Sequence, residues 1–145
     1  MKIVIQRVSK ASVEVKKETV SQIKNGLLIL VGFSEDDDEQ KAVKGAMKIP
    51  KLRIFPNKEK DINSSLFDIN GEILAVSQFT LVADTSAGNR PSFVKAANPE
   101  KAEKLFNTFI KELKKSGLPV KTGKFQNYMK VSLVNEGPVT IVLDF

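Results

Sequence analysis

Three polar side chains interrupt an apolar stretch near the middle of the chain. In AVSQFTLVAD, residues 75–84, Ser77, Gln78 and Thr80 supply two hydroxyls and an amide between aliphatic flanks. As one strand, this segment would place Ser77 and Phe79 on one face and Gln78 and Thr80 on the other. Buried polar groups need hydrogen-bond partners or a cavity. Either the hydroxyls satisfy nearby backbone groups, or the segment forms part of a binding site, and the amide between them favours the site.

A second unusual segment lies near the end of the chain. VSLVNEGPVTIVLD, residues 131–144, is typical of a long strand or a hairpin except for Pro138, which cannot donate to a ladder. Asn135, Gly137 and Pro138 suit a plain turn. An X–Pro bond also adopts the cis form at a cost of only about 0.5–1 kcal/mol, so the residues alone leave both isomers open.

The side chains that most often perform acid–base and nucleophilic chemistry are missing, since the chain has no histidine and no cysteine. This composition excludes disulfides, thiolate metal sites and most other zinc and iron sites. The EDDD cluster at residues 35–38 is the one candidate for magnesium, but its place at the start of a predicted helix favours interaction with the helix dipole. We therefore expect no metal and no cofactor.

The positive charge is concentrated in one region. The net charge is +6, and residues 95–130 contain nine lysines and three glutamates, so the remainder of the chain sums to zero. A basic region on a neutral body indicates either a polyanionic partner such as nucleic acid or a solvated lysine-rich helix face. With only three arginines in the chain, lysine contacts to phosphates are more plausible than base reading.

Apolar patterning predicts many strands in series. Asn25–Gly26 and Asn70–Gly71 are predicted as hairpin turns. The predicted strands lie at residues 2–8, 11–15, 20–24, 27–33, 51–55, 72–82, 118–125, 128–135 and 139–145.

Two helices complete the prediction. Residues 37–47 combine an acidic first turn with spaced apolar side chains. The second helix has Asn98 as its cap, Pro99 at its first position and Gly117 just past its end. The expected fold is a mixed α/β (α+β) single domain over residues 1–145, with a largely antiparallel, barrel-like sheet and two main helices. No segment is typical of a signal peptide or a membrane span, so a cytoplasmic location without membrane contact is expected.

The two unusual segments together resemble one family, the D-aminoacyl-tRNA deacylases, which release D-amino acids from mischarged tRNA. SQFTL at 77–81 and NEGPVT at 135–140 are similar to that family's signature motifs. The similarity continues in IQRVSKASVEV near the start of the chain, in KIPKLRIF, and in GNRPSF at 88–93. It therefore extends over the whole chain.

The resemblance implies a homodimer that hydrolyses D-aminoacyl-tRNA, with active sites at the subunit interface. Catalytic roles would fall to Ser77, Gln78, Phe79 and Thr80, which position the ester of the 3′-terminal adenosine. Substrate binding and chiral selection would fall to the remaining candidates, which are Arg7, Met129, Asn135, Gly137 and Pro138. Gly137 and Pro138 would form a cis peptide that enters the partner's pocket and rejects L-amino acids, and Arg7 would hold it. Glycine has no Cβ, so Gly-tRNA would also be hydrolysed.

One departure and two alternatives accompany this resemblance. The family usually has Gly-Ala after the phenylalanine at 125, where this chain has Gln126 and Asn127, so the local backbone or pocket is expected to differ. The first alternative is a dimeric RNA-binding module without catalysis. The second is a general esterase with Thr80 as covalent nucleophile, for which no base lies near in sequence.

Overall fold

The computed structural model describes residues 1–60 and 62–145 and contains six strands and two α-helices. The strands are β1 (Lys2–Val15), β2 (Glu18–Ile23), β3 (Gly26–Gly32), β4 (Glu72–Ser77), β5 (Val120–Thr122) and β6 (Lys130–Asp144). The helices are α1 (Glu39–Lys48) and α2 (Pro99–Lys114), with 3₁₀ turns at Ile49–Lys51 and Phe79–Val82. The mixed α/β prediction with two main helices is confirmed.

One long strand organises the sheet. β1 pairs antiparallel with β6 along almost its whole length, while its other edge pairs with β3 in its first half and with β2 in its second half. β3, β4 and β5 then follow in parallel, giving the order β2-β1-β3-β4-β5 with β6 on β1. The sheet curves into a nearly closed barrel.

Several strand predictions were wrong in their connections. Residues 2–8 and 11–15 form one strand instead of a pair, because Ser9 and Lys10 stay extended. Neither predicted hairpin exists: β2 and β3 both pair with β1, and the turn ending at Gly71 leads into a strand parallel to β3. Residues 51–55 form no strand beyond one bridge from Phe55 to Ser64.

The last two predicted strands are continuous. β6 runs from Lys130 to Asp144 through Pro138, and the Gly137–Pro138 peptide bond is cis. The ladder with β1 shifts register between Gln6 and Lys10, opposite this bond. The irregularity places proline where no ladder hydrogen bond is required of it, which is why it does not end the strand.

Both helices cover one face of the sheet. The prediction for α2 is confirmed in detail: the Asn98 side chain accepts a hydrogen bond from the Lys101 N–H at 2.9 Å, and Gly117 has a positive φ of 79° just past the end. Six apolar residues of α2 are buried, at the three- and four-residue spacing that predicted the helix. They are Ala102, Leu105, Phe106, Phe109, Ile110 and Leu113.

β3 separates two apolar clusters because its side chains alternate. Leu27, Ile29 and Val31 pack with the helices, whereas Leu28 packs against the second half of β1 and β2. This central strand is consequently buried on both faces, and the two groups of site residues predicted from the sequence lie near its two ends. No helix among the described residues is long and apolar enough to cross a membrane.

Candidate active site

A well-formed cavity lies where two parallel strands end. β4 ends at Ser77 and β5 at Thr122, and because parallel strands point the same way, the segments that follow them meet at one edge of the sheet. These segments and the start of α2 enclose about 880 Å³. The wall consists of Val76, Ser77, Gln78, Phe79, Phe93, Ala96, Ala97, Pro99, Ala102, Phe125, Gln126, Asn127, Tyr128, Met129 and Val131.

Residues 77–80 form a corner, not a strand. The Gln78 N–H still donates to the Val31 carbonyl at 2.8 Å, but Gln78 itself has φ −141° and ψ 82°, and a 3₁₀ turn begins at Phe79. The expected alternation of faces is therefore wrong beyond Ser77. The corner leaves Ser77 and Gln78 half-buried and Phe79 and Thr80 exposed.

Among the polar residues of this corner, Ser77 and Gln78 line the cavity, whereas Thr80 lies next to its wall and is not part of it. The Gln78 Nε2 donates to the Thr80 Oγ1. Within residues 1–60 and 62–145, the Ser77 hydroxyl has no protein partner, so it is free for a ligand. The N–H groups of Phe79 and Thr80 open the 3₁₀ turn and have no acceptor within it. The corner thus offers a hydroxyl and unpaired backbone donors.

The opposite wall is the segment that follows β5. The Gly123 N–H donates to the Ala75 carbonyl at 3.1 Å, and a Cβ on Gly123 would lie 2.6 Å from the Met129 Sδ. This close packing holds Met129 in the wall. Gln126 has a positive φ of 55°, which explains why glycine, its usual counterpart in the family that this chain resembles, suits the position.

Two parts of the wall were not predicted as site residues. Phe93 packs edge-to-face on Phe79, with ring centroids 5.0 Å apart and an interplanar angle of 61°. Pro99 and Ala102 contribute the first turn of α2. The signal available for Phe93 was its place in the GNRPSF segment, but nothing in the α2 pattern indicates that its first turn faces a cavity.

The cavity contains almost no titratable chemistry. Among the described residues of the wall, Tyr128 is the one with a titratable side chain. Asp84 lies outside the wall, and hydrogen bonds from the Ser86 side chain and N–H, together with Lys95, lower its pKa to about 2. It therefore stays ionised and paired at neutral pH. The walls can position, desolvate and donate hydrogen bonds, but they hold no side-chain acid–base pair.

The acidic residues at 35–38 make contacts that stabilise the fold. The Asp38 side chain caps α1 by accepting from the Lys41 N–H at 2.8 Å. Asp37 is buried and binds the Met1 ammonium, the Ser34 N–H and the Lys41 ammonium. Among the described residues, no cluster of His, Cys, Asp or Glu side chains has the arrangement of a metal site.

The remaining predicted site residues form a second group around β6. Arg7 is 8% exposed, and its guanidinium donates from Nε to the Glu136 carbonyl at 2.9 Å and from Nη1 to the Ile54 carbonyl at 2.7 Å. The Asn135 Oδ1 accepts from the Val139 N–H at 3.1 Å, and its Nδ2 donates to the Thr140 Oγ1 at 2.8 Å. These bonds hold an exposed Gly137–Pro138 unit from both sides.

The two groups lie at opposite ends of β3 in one chain. Ser77 is level with Val31, whereas Arg7 is level with Leu27, and Gly137 lies beside Arg7. The four residue steps from Leu27 to Val31 correspond to about 13 Å along the strand at ~3.3 Å per residue. β1 and β3 also stand between β6 and β4. Gly137 and Pro138 therefore contribute nothing to the cavity wall of their own chain.

The lysines of residues 95–130 divide into paired and unpaired groups. Those with carboxylate partners are Lys95, Lys104, Lys115, Lys121 and Lys130. Within the described part of the chain, no ion pair involves Lys101, Lys111, Lys114 or Lys124. Lys124 precedes the Gln126–Met129 wall of the cavity, so part of the unpaired positive charge lies beside this wall, whereas Lys130, which follows the wall, is paired with Glu14.

Comparison with known proteins places these features in one family. The family model described as D-Tyr-tRNA(Tyr) deacylase matches residues 4–144. The D-aminoacyl-tRNA deacylase of Lactobacillus delbrueckii subsp. bulgaricus is 54% identical over 144 residues, which cover 99% of both chains. The D-aminoacyl-tRNA deacylase of Thermotoga petrophila is 51% identical and is covered to 97%, with 99% of this chain matched.

Two solved structures share the fold over essentially the full length. A c-Myc DNA unwinding element binding protein matches with a TM-score of 0.93 and 40% identity, covering 100% of this chain and 99% of that one. A probable eukaryotic D-amino acid tRNA deacylase matches with a TM-score of 0.85 at 17% identity, covering 99% and 98%. The second likeness concerns the fold alone.

Proposed function

Because this chain belongs to the D-Tyr-tRNA(Tyr) deacylase family, we propose that it hydrolyses the ester between a D-amino acid and the 3′-terminal adenosine of tRNA at the cavity lined by Ser77 and Gln78. The chain is a hydrolase of the D-aminoacyl-tRNA deacylase class, and family membership supports a proofreading role in translation. We further propose that residues 1–145 form one deacylase domain that acts in the cytoplasm.

The observation that carries the site is the cavity at the ends of β4 and β5. Its volume of about 880 Å³ is within the range of small-molecule sites, and a terminal aminoacyl-adenosine requires such a space. The Phe79, Phe93 and Phe125 rings supply apolar surface for a base and an amino-acid side chain. The Ser77 hydroxyl and the Gln78 amide supply orienting polar contacts.

Positioning explains catalysis better than a covalent nucleophile. The Thr80 hydroxyl accepts a hydrogen bond from Gln78, and no carboxylate, lysine or arginine is in the cavity wall to remove its proton. An aminoacyl ester is already activated, and the neighbouring 2′-hydroxyl of the adenosine can assist its hydrolysis. The N–H groups of Phe79 and Thr80 would stabilise the developing oxyanion, for which one donor typically contributes about 10²–10³ in rate.

A second copy of the chain would complete the site. Gly137 and Pro138 are exposed, rigidly held and remote from the cavity of their own chain, so they can enter only the cavity of a partner. There, their carbonyls would bind the α-ammonium of the substrate and leave no space for a Cβ of L configuration. Glycine lacks a Cβ, so Gly-tRNA would also be hydrolysed. A shared site of this kind requires a homodimer.

Single-turnover deacylation of D-Tyr-tRNA, L-Tyr-tRNA and Gly-tRNA tests the activity and its selectivity, with EDTA in parallel reactions. We expect rapid loss of the D-ester, measurable loss of the glycyl ester and no effect of EDTA. Negligible hydrolysis of every ester with tRNA still bound would instead support an RNA-binding module. Rejection of glycine as strong as that of L-tyrosine would contradict selection by Cβ exclusion.

Mixing two inactive variants tests the shared site. Gln78→Ala damages the cavity, and Pro138→Ala damages the unit offered to the partner, so each homodimer has no intact site. A mixed dimer has one site with both defects and one with neither, so random pairing of equal amounts restores about a quarter of wild-type activity. A site contained in one chain would give no recovery on mixing.

A further inference from the structure

The segment that follows β5 presents an aromatic side chain that the proposed hydrolysis does not use. Tyr128 is 88% exposed, although it belongs to the cavity wall. Within residues 1–60 and 62–145, its phenol group makes no hydrogen bond. A ring of this size is normally buried on at least one face or used in binding, because exposed aromatic surface is unfavourable in water.

The backbone around Tyr128 is held firmly. The Phe125 side chain packs on Phe106, with ring centroids 6.2 Å apart, and thereby attaches the segment to α2. The Asn127 Nδ2 donates to the Phe125 carbonyl at 2.9 Å, and the Asn127 N–H donates to the Lys124 carbonyl at 3.3 Å. Gln126 turns the chain outward with its positive φ of 55°. The backbone that carries Tyr128 is therefore held in place, which lowers the entropic cost of using its ring in binding.

The residues next to Tyr128 in the chain are polar or positively charged. Gln126, Asn127 and Lys124 are exposed, and Lys124 makes no ion pair within the described part of the chain, whereas Lys130 is paired with Glu14. An aromatic ring with a lysine close to it in the chain is typical of surfaces that bind single-stranded nucleic acid, with the base stacked on the ring and a phosphate near the ammonium group.

The position of Tyr128 at the rim of the cavity indicates which nucleotide of the tRNA its ring would contact. If the terminal aminoacyl-adenosine fills the cavity, the RNA must leave over the rim, and the next nucleotide is the first one outside. We propose that Tyr128 stacks on the base of the nucleotide that precedes the terminal adenosine, with Lys124 near a neighbouring phosphate. This inference rests on the proposed function, and it adds a binding contact outside the reacting centre.

Two substrates of different length test the inference. D-Tyr-tRNA contains the preceding nucleotide, whereas the D-tyrosyl ester of adenosine alone does not. Stacking on one base is worth about 5- to 150-fold in binding, so Tyr128→Ala should lower kcat/KM on D-Tyr-tRNA by that factor, mainly through KM. The same variant should change kcat/KM on the adenosine ester less than about twofold, and Tyr128→Phe should retain activity on both because it keeps the ring.

The matched control for Tyr128→Ala is a second exposed apolar side chain that lies away from the cavity. Met47→Ala removes another exposed apolar side chain, on α1 and outside the cavity wall, and should leave both substrates unaffected. Equal losses on both substrates for Tyr128→Ala, or no loss on either, would overturn the inference. A loss accompanied by dissociation of the protein in sedimentation would also overturn it, by showing that Tyr128 contacts a second copy. Failure of the proposed function is distinct, since the unmodified protein would then hydrolyse neither ester.

Discussion

Gln78 and Thr80 are hydrogen-bonded to each other in the corner that follows β4, so the side chain of one residue fixes the orientation of the other. The Gln78 amide reaches the Thr80 hydroxyl, while its backbone N–H remains in the β3 ladder. Thr80 therefore acts as an acceptor that fixes the amide. The hydroxyl at position 80 is expected to matter for placement of its neighbours rather than for bond formation.

Replacement of Thr80 separates placement from covalent catalysis. Thr80→Ala leaves the Gln78 amide without its acceptor, so we expect kcat for the D-ester to fall by about 10- to 100-fold while activity remains measurable. Thr80→Ser keeps an acceptor and should stay close to wild type. Single-turnover rates give the comparison. Complete loss in Thr80→Ala together with a burst of released tRNA in the unmodified protein would indicate a covalent intermediate.

The lack of an acid–base pair in the wall predicts a simple pH dependence. If hydroxide, or a water molecule deprotonated with the help of the 2′-hydroxyl, provides the attacking oxygen, the rate should rise by about tenfold per pH unit between pH 6 and 8, without a plateau. Tyr128→Phe should keep this slope, because the slope arises from hydroxide or activated water and not from the phenol group. The measurement is single-turnover hydrolysis of the D-ester corrected for the spontaneous rate. A bell-shaped profile would reveal a side-chain acid or base that the cavity does not show.

At the scale of elements, β6 combines a long ladder with a local irregularity that presents two residues. The strand passes through Pro138 because the register with β1 shifts there, and the Arg7 and Asn135 side chains hold the neighbouring backbone. Gly137 occupies a φ of 124°, and a Cβ there would lie 2.6 Å from the Arg7 Nη2. Glycine is required at this position both by backbone conformation and by contact.

Two glycine substitutions distinguish these requirements. Gly137→Ala should lower the free energy of unfolding by about 1–3 kcal/mol and should also lower D-ester hydrolysis more than tenfold, because it displaces the Arg7 contact. Gly88→Ala is the matched control, since Gly88 has φ 142° but a methyl group added there would meet nothing within 4 Å, so strain is present without a clash. It should cost similar stability and leave activity unchanged. Denaturant unfolding and single-turnover assays measure both. Equal activity in the two variants would contradict a functional role for Gly137.

At the scale of the whole molecule, one buried carboxylate connects distant parts of the chain. Asp37 binds the Met1 ammonium at 2.7 Å and the Ser34 N–H at 2.6 Å, and Met1 in turn donates to the Phe145 carbonyl at 3.0 Å. The start of β1, the segment before α1 and the end of the chain are thereby fastened together. Burial alone would raise the pKa of Asp37, but hydrogen bonds from the ammonium, Ser34 and Lys41 outweigh burial and lower this pKa.

The Asp37 carboxylate should make the free energy of unfolding depend on pH in the acid range. A pKa lowered by folding gives stabilisation that is fully present above the unfolded value of about 3.9 and is lost as the pH falls through the folded value. Asp37→Asn leaves the Met1 ammonium without its counter-charge, so unfolding free energy should fall by about 3 kcal/mol at pH 7, and the deficit should shrink below about pH 4. Denaturant unfolding across pH tests this, with the exposed Asp36→Asn as control. A constant deficit at all pH values would contradict the assignment.

Residue types and local spacing by themselves determined much of this protein. The cap, proline and apolar stripe of α2 predicted its bounds because helix ends depend on nearby side chains. The polar residues 77–80 and the Gly137–Pro138 unit were identified because they contradict their apolar surroundings. Only the tertiary structure decided that residues 2–15 are one strand and that β4 runs parallel to β3, since strand pairing joins residues distant in sequence. It likewise decided that the two motifs lie at opposite ends of β3. That separation depends on the register of β1, β3 and β6 together, and no local pattern contains it.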